Sequence, residues 1–293
     1  MKLVRYGRDG REQPGLIDAD GRLRSLHGVV DDIGPQAYAP AGQRALRRID
    51  PRTLPLVRGK PRLGVPFVGI GKFIAIGLNY RDHAEEAGLA IPTEPVVFNK
   101  WTSCLSGPDD PIALPPHSTR MDWEVELGVV IGTRARYVGV ADALRHVAGY
   151  CTVHDVSERQ FQFDRGTQWD KSKGLDGFGP VGPWLVTADE VPDPQALQLR
   201  LDVNGERMQN GDTSRMIFSV AQIVSYLSHF MTLLPGDLIA TGTPPGVGMA
   251  RQRYLRAGDV VELEVVGLGR QRQAVIAPTD RVADDARALL RLD

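Results

Sequence analysis

The stretch MDWEVELGVVIG, residues 121–132, decides how this chain is read. Val125, Leu127, Val129, Val130 and Ile131 have the apolar, largely β-branched character of a strand. Asp122, Glu124 and Glu126 hold alternate positions in it. Residues two apart on a strand share a face, so the spacing lines one side of a core-grade strand with three carboxylates. Like charges buried without partners are strongly unfavourable. Partner cations or a bound metal would offset them. Arginines outnumber lysines 29 to 6, so arginine could serve and each lysine is informative. A hard divalent ion, Mg²⁺ or Mn²⁺, takes oxygen ligands, and acid-x-acid on a strand suits it. A solvated edge strand with alternating acids is the competing reading.

Two further segments add acidic and basic chemistry. In GYCTVHDVSERQFQ, residues 149–162, Asp155 follows an apolar run, where a strand end could aim a carboxylate into a cleft. In LNYRDHAEEAG, a helix entered near Asp82 puts His83 and Glu86 three apart on one face. Such a pair is a natural general-base unit, the carboxylate orienting the imidazole. Taken alone, His83 reads more simply as a surface or capping histidine.

Bulk properties narrow the class. The 293 residues permit one large domain, or one domain with a small appendage. A net charge of −1 favours neither nucleic acid nor an anionic membrane as partner. No run approaches the roughly 20 apolar residues of a membrane span. The start, MKLVRYGRDG, lacks the apolar stretch of a signal peptide, and Cys104 and Cys151 form no metal-type pair. A cytoplasmic setting is the expectation, with both cysteines as packing residues.

Strand signals dominate. KFIAIGLNY, EPVVFNK, GYCTVHDV, GPWLV, LQLRLDVNG, GDLIATG and DVVELEVVGLG surround the opening stretch, while DHAEEAGL, ADALRHVA and SVAQIVSYLSHFM are the clearest helices. The predicted class is mostly β, mixed α+β. Residues 1–68 read as a small N-terminal α+β unit: a hairpin turning at DADG, a short helical middle between prolines, then a Pro/Gly-rich linker. Residues 69–293 form the main body.

These segments together resemble the fumarylacetoacetate hydrolase family. The resemblance runs from about Lys72 to Gly269, through IGLNYRDHAEEAG, DWEVELGVVIG, GYCTVHDVSERQFQ, QWDKSKGLDGFGPVGPW, NGDTSRMIF and LLPGDLIATGTPPGVG, in the family's order. It implies a β-sandwich roll as the catalytic fold and a divalent metal held by Glu124, Glu126 and Asp155. Asp122 is not a ligand in the family pattern and is expected behind the ligands or exposed. His83 and Glu86 match the family's water-activating dyad. Lys173 matches its active-site lysine, preferred over nearby Lys171 on spacing to the following Gly-Pro. Arg159, Gln162 and Thr243 match substrate-binding positions. His154 departs from the pattern, which usually has asparagine before the metal aspartate. The resemblance further implies a homodimer and a small 2-oxo or 2,4-dioxo acid as substrate. Its nearest branch acts on acylpyruvates and diketo-deoxy sugar acids, and C–C hydrolysis to pyruvate is the expected reaction. Decarboxylases, isomerases, hydratases and ureidoglycolate-type lyases share the layout.

Other motifs carry less. VGIGKF lacks phosphate-loop spacing and leads into a strand. TGTPPGVG is glycine-rich, but its prolines remove amide donors and no helix is expected after it, which disfavours a nucleotide site. No G-x-S-x-G occurs, so a serine hydrolase of the usual kind has no support.

Overall fold

The opening stretch forms two strands separated by a gap. Val125–Ile131 is a seven-residue strand buried along its whole length, and Met121–Asp122 is a short strand of its own. The computed structural model describes every residue except 87, 89, 167, 284, 285 and 287–293.

Val125–Ile131 lies inside a ten-stranded mixed sheet. On one side it pairs antiparallel with Val147–His154, followed by Gly179–Thr187, Lys2–Tyr6, Gln13–Ile17 and Leu23–Ser25, with the tenth strand, Leu105–Ser106, pairing parallel to Gly179–Thr187 off this path. On the other it pairs antiparallel with Leu238–Ala240, followed by Phe73–Gly77 and Val96–Lys100. Both central strands are buried on both faces, so they read as apolar runs rather than as alternation.

A second, five-stranded sheet packs against this one. Its order is Glu206–Asp212, Gln198–Val203, Val260–Val265, Gly269–Ile276 and Ile112–Ala113. Here burial alternates with period two, and Leu199, Leu201, Val261, Leu263 and Val265 face inward. The two layers make the expected mostly β sandwich, with short helices around it.

The leading residues join the same sheet: Lys2 pairs with Val186 and Leu3 with Leu185. The longest described helix, Val220–Phe230, starts on a capping box formed by Ser219 and Gln222. Among the described residues no helix is long and apolar enough to cross a membrane.

Two local expectations need correction. ADALRHVA is not one helix: Val140–Ala143 is α-helical, Leu144–His146 tightens to a 3₁₀ turn, and the central strand begins at Val147. TGTPPGVG does lead into a helix, the short Gly248–Arg251, because the prolines precede the turn rather than interrupt it.

Candidate active site

The site occupies the gap in the opening stretch. Residues 121–131 and 147–158 run antiparallel and pair twice, Val125–Ile131 with Val147–His154 and Met121–Asp122 with Ser157–Glu158. Between the two ladders lie Trp123 and Glu124 on one segment, Asp155 and Val156 on the other. The Asp155 amide donates to the Glu124 carbonyl at 3.0 Å, which keeps the segments together across the opening. Gln209 closes the other edge. It accepts from the Val125 amide at 2.9 Å and donates to Thr243 Oγ1 at 2.8 Å, while that hydroxyl donates to the Val125 carbonyl at 2.9 Å.

Four carboxylates gather there, all buried: Asp122, Glu124, Glu126 and Asp155. Three buried cations meet them. Arg159 donates to Asp122 at 2.8 Å and to Glu124 at 2.5 Å. Lys173 bridges Glu124 and Asp155, each at 2.7 Å. Lys100 donates to the other Asp155 oxygen at 2.7 Å and to the Lys173 carbonyl. Asp122, expected behind the ligands or exposed, is buried and anchors Arg159. Lys171 is exposed and bonds the Arg165 carbonyl, whereas Lys173, two residues on, is buried against the carboxylates.

Among the described residues, Glu126 is the carboxylate of the four that no cation pairs with, and its hydrogen bond comes from the Gly242 amide, at 2.7 Å. Burial pushes its carboxyl well above the usual range, and Asp155 and Glu124 push the same way. Burial also opposes charge on Glu124, but Lys173 and Arg159 outweigh it and hold that carboxyl well below the usual range. For Lys173, Asp155 and Glu124 outweigh burial and raise the ammonium pKa.

This donor set fits a hard divalent ion. Glu124, Glu126 and Asp155 each offer an oxygen, all within 4.8 Å of one another, and they are the one such convergent group among the described residues. An ion there would supply the positive charge that Glu126 lacks.

His83 and Glu86 share the helix Arg81–Glu86. His83 Nδ1 lies 3.4 Å from Glu86 Oε2, a long hydrogen bond. Both Glu86 oxygens accept from the Gly246 amide, at 3.1 and 3.0 Å. Burial opposes charge on Glu86, but the bonds from His83 and Gly246 outweigh it and lower its carboxyl pKa. Gly246 has φ +103°, and a Cβ there would sit 2.0 Å from the Met208 carbonyl oxygen. Glycine is therefore required where the loop turns its amide to Glu86.

Seven of the nine expected site residues line one cleft: His83, Glu124, Glu126, Arg159, Gln162, Lys173 and Thr243. Glu86 and Asp155 support it from behind, through His83 and Lys173. Gln162 accepts from Arg159 at 2.9 Å. His154 points elsewhere. Its Nδ1 lies 3.1 Å from Gln273 on the second sheet, and burial pushes its pKa down to about 3, despite that bond. Lys100 and Gln209 were not foreseen. The scarcity of lysine was the one signal for Lys100, and Gln209 had none.

The family model described as Fumarylacetoacetate (FAA) hydrolase C-terminal matches residues 72–276. A Burkholderia ambifaria protein, described no more finely than as a hydrolase, is 59% identical over 277 residues, covering 94% of this chain and 98% of its own. Among solved structures, the fumarylacetoacetate hydrolase of psychrophilic Exiguobacterium antarcticum is 35% identical with a TM-score of 0.83, covering 94% of this chain and 99% of its own. The 5-carboxymethyl-2-hydroxymuconate delta-isomerase of Mycobacterium smegmatis is 32% identical with a TM-score of 0.74, covering 96% and 100%.

Proposed function

The chain belongs to the fumarylacetoacetate hydrolase family, and from that premise we propose that it is a divalent-metal-dependent hydrolase of small 2,4-dioxo acids, acylpyruvates or diketo-deoxy sugar acids, releasing pyruvate and a carboxylic acid. The observation that carries this reading is that His83, braced by Glu86, and the three convergent carboxylates serve one cleft.

Glu124, Glu126 and Asp155 would hold Mg²⁺ or Mn²⁺, which when bound supplies Lewis-acid polarisation of a 2-oxo acid. The chain's own groups do the rest. If Nδ1–H faces Glu86, the other imidazole nitrogen is free to act as a base. His83 takes a proton from water as the water oxygen bonds to C4 and the C4 carbonyl π pair moves onto its oxygen. That pair then re-forms the C4 carbonyl as the C3–C4 bond breaks. Its electron pair passes to C3 as the enolate of pyruvate, and C4 departs as the carboxylic acid. The Lys173 ammonium, held in place by two carboxylates, balances the enolate charge. The proton held by His83 returns to C3. Arg159, Gln162 and Thr243 orient the substrate. The same reading takes the enzyme as a catabolic, cytoplasmic homodimer, on the family's precedent.

The test is pyruvate release from a panel of acylpyruvates and diketo sugar acids, with Mg²⁺ and with EDTA, oxaloacetate serving as decarboxylation control. Release that needs metal supports the proposal. Release from oxaloacetate alone moves the assignment to a decarboxylase. Isomerisation is the second reading, favoured by the 32% identical delta-isomerase. It would appear as a change in substrate absorbance without pyruvate.

A further inference from the structure

The cleft has two halves of unlike chemistry. Among the described residues, its polar lining side chains all belong to the reactive set above, and the other lining side chains are Ile76, Leu78, Phe98, Phe163, Trp169 and Met249. The halves also differ in depth. Gln162 is 3% exposed, whereas Phe163, its neighbour in the chain, is 50% exposed at the mouth.

The apolar half is built in place. Phe98 and Trp169 meet edge-on with centroids 5.3 Å apart. Trp169 lies so close over the strand Phe73–Gly77 that a Cβ on Gly77 would sit 2.6 Å from the ring. Leu78 holds φ 50°, a conformation uncommon outside glycine, and lines the same cleft. This wall also borders the reacting centre, since the Lys173 ammonium lies 5.2 Å from the Phe98 centroid.

We infer that the group beyond C4 of the substrate is apolar, an alkyl or aryl chain, and not a polyhydroxylated sugar chain. The inference rests on the head-group placement proposed above. With the 2-oxo acid over Glu124, Glu126 and Lys173, the rest of the molecule runs along the aromatic wall. The side chains of that wall offer one strong polar group, the Trp169 indole N–H. Each sugar hydroxyl drawn against it gives up water without a partner, which weakens binding by about tenfold or more. Each methylene buried there strengthens binding about fourfold. A substituent of this kind would also cover the exposed Phe163 ring.

The test uses 2-oxo acids that lack a C4 carbonyl and so are not cleaved. Calorimetry in Mg²⁺ buffer would compare 2-oxobutanoate, 2-oxohexanoate, 2-oxooctanoate and 2-oxo-3-deoxyhexonate. The expected result is affinity rising about threefold to fourfold per methylene. The sugar acid should bind at least about tenfold more weakly than 2-oxohexanoate. Phe163→Ser, a change at a half-exposed position, should cut the preference for the longest acid severalfold. A flat series, or a sugar acid binding as tightly as 2-oxohexanoate, overturns the inference. The expected slope with no pyruvate from any dioxo acid leaves it standing and removes the hydrolase reading. Pyruvate release with a flat slope does the reverse, and no binding by any member removes both.

Discussion

Glu126→Gln tests the charge balance of the site directly. Among the described residues four buried carboxylates face three buried cations, and Glu126 is the one that no cation pairs with. Without metal, burial and its acidic neighbours favour the protonated carboxyl. Glutamine copies that neutral form and still accepts from Gly242. In EDTA the variant should therefore lie within about 1 kcal/mol of the parent. Glu124→Gln is the contrast. It strips the carboxylate shared by Lys173 and Arg159 and should cost about 3–5 kcal/mol. That is a fall of about 5–8 °C in Tm for a chain of this size. Mg²⁺ at a hundredfold excess over Kd should stabilise the parent by about 2.7 kcal/mol and do far less for Glu126→Gln.

Calorimetric melting with EDTA and with Mg²⁺ reads all of these. The sign of the pH effect follows from the same residue. The Glu126 carboxyl is raised above its unfolded value near 4.5, so its stabilising contribution is full below that value and is lost as pH rises through the folded one. The metal-free parent should lose stability on this limb and the variant should not. Mg²⁺ must displace the proton, so its affinity should climb with pH. If Glu126→Gln in EDTA falls as far as Glu124→Gln, or if Mg²⁺ stabilises both equally, the charge count is wrong.

Further outcomes follow from neighbouring contacts. His83→Ala should lower pyruvate release from dioxo acids by at least about a hundredfold while sparing oxaloacetate decarboxylation, which needs no activated water; equal loss of both would undo that division. Gly246→Ala forces a Cβ toward the Met208 carbonyl at positive φ and should cost about 2–4 kcal/mol in melting, together with most of the turnover. Lys100→Met leaves one Asp155 oxygen without its buried cation and should cost about 3–5 kcal/mol by denaturant titration. An unchanged midpoint would mean that Asp155 is satisfied by Lys173 alone.

The strands were legible because their apolar runs are local, and so was His83 three residues from Glu86. The gap between Asp122 and Val125 was not. An alternating acidic pattern looks the same in a continuous strand, and the break shows only in the pairing: the Trp123 amide turns to the Asp122 carboxylate, and the ladder resumes at Val125. Lys100 reaches Asp155 across 55 residues, and Gln209 reaches Thr243 across 34. Neither approach leaves a spacing signature. The pairing of Lys2 with Val186 is equally remote from any local pattern. The missing proline donors in TGTPPGVG argue against a nucleotide site, but they hide that its glycines carry the amides that matter.

Those glycine amides act as a fixed solvent. Gly242 donates to Glu126, Gly246 to Glu86 and Gly248 to Asp122, so one loop stands in for the water that three carboxylates would otherwise recruit. Water reorients when a nearby charge appears or disappears; a backbone amide locked in a turn does not. Charge can then shift within the cleft with little reorganisation of its surroundings. The dipoles responsible belong to the main chain, so exchanging side chains around the cleft would pass over them. Replacing the Gly246 amide with an ester would remove one dipole and leave every side chain where it is.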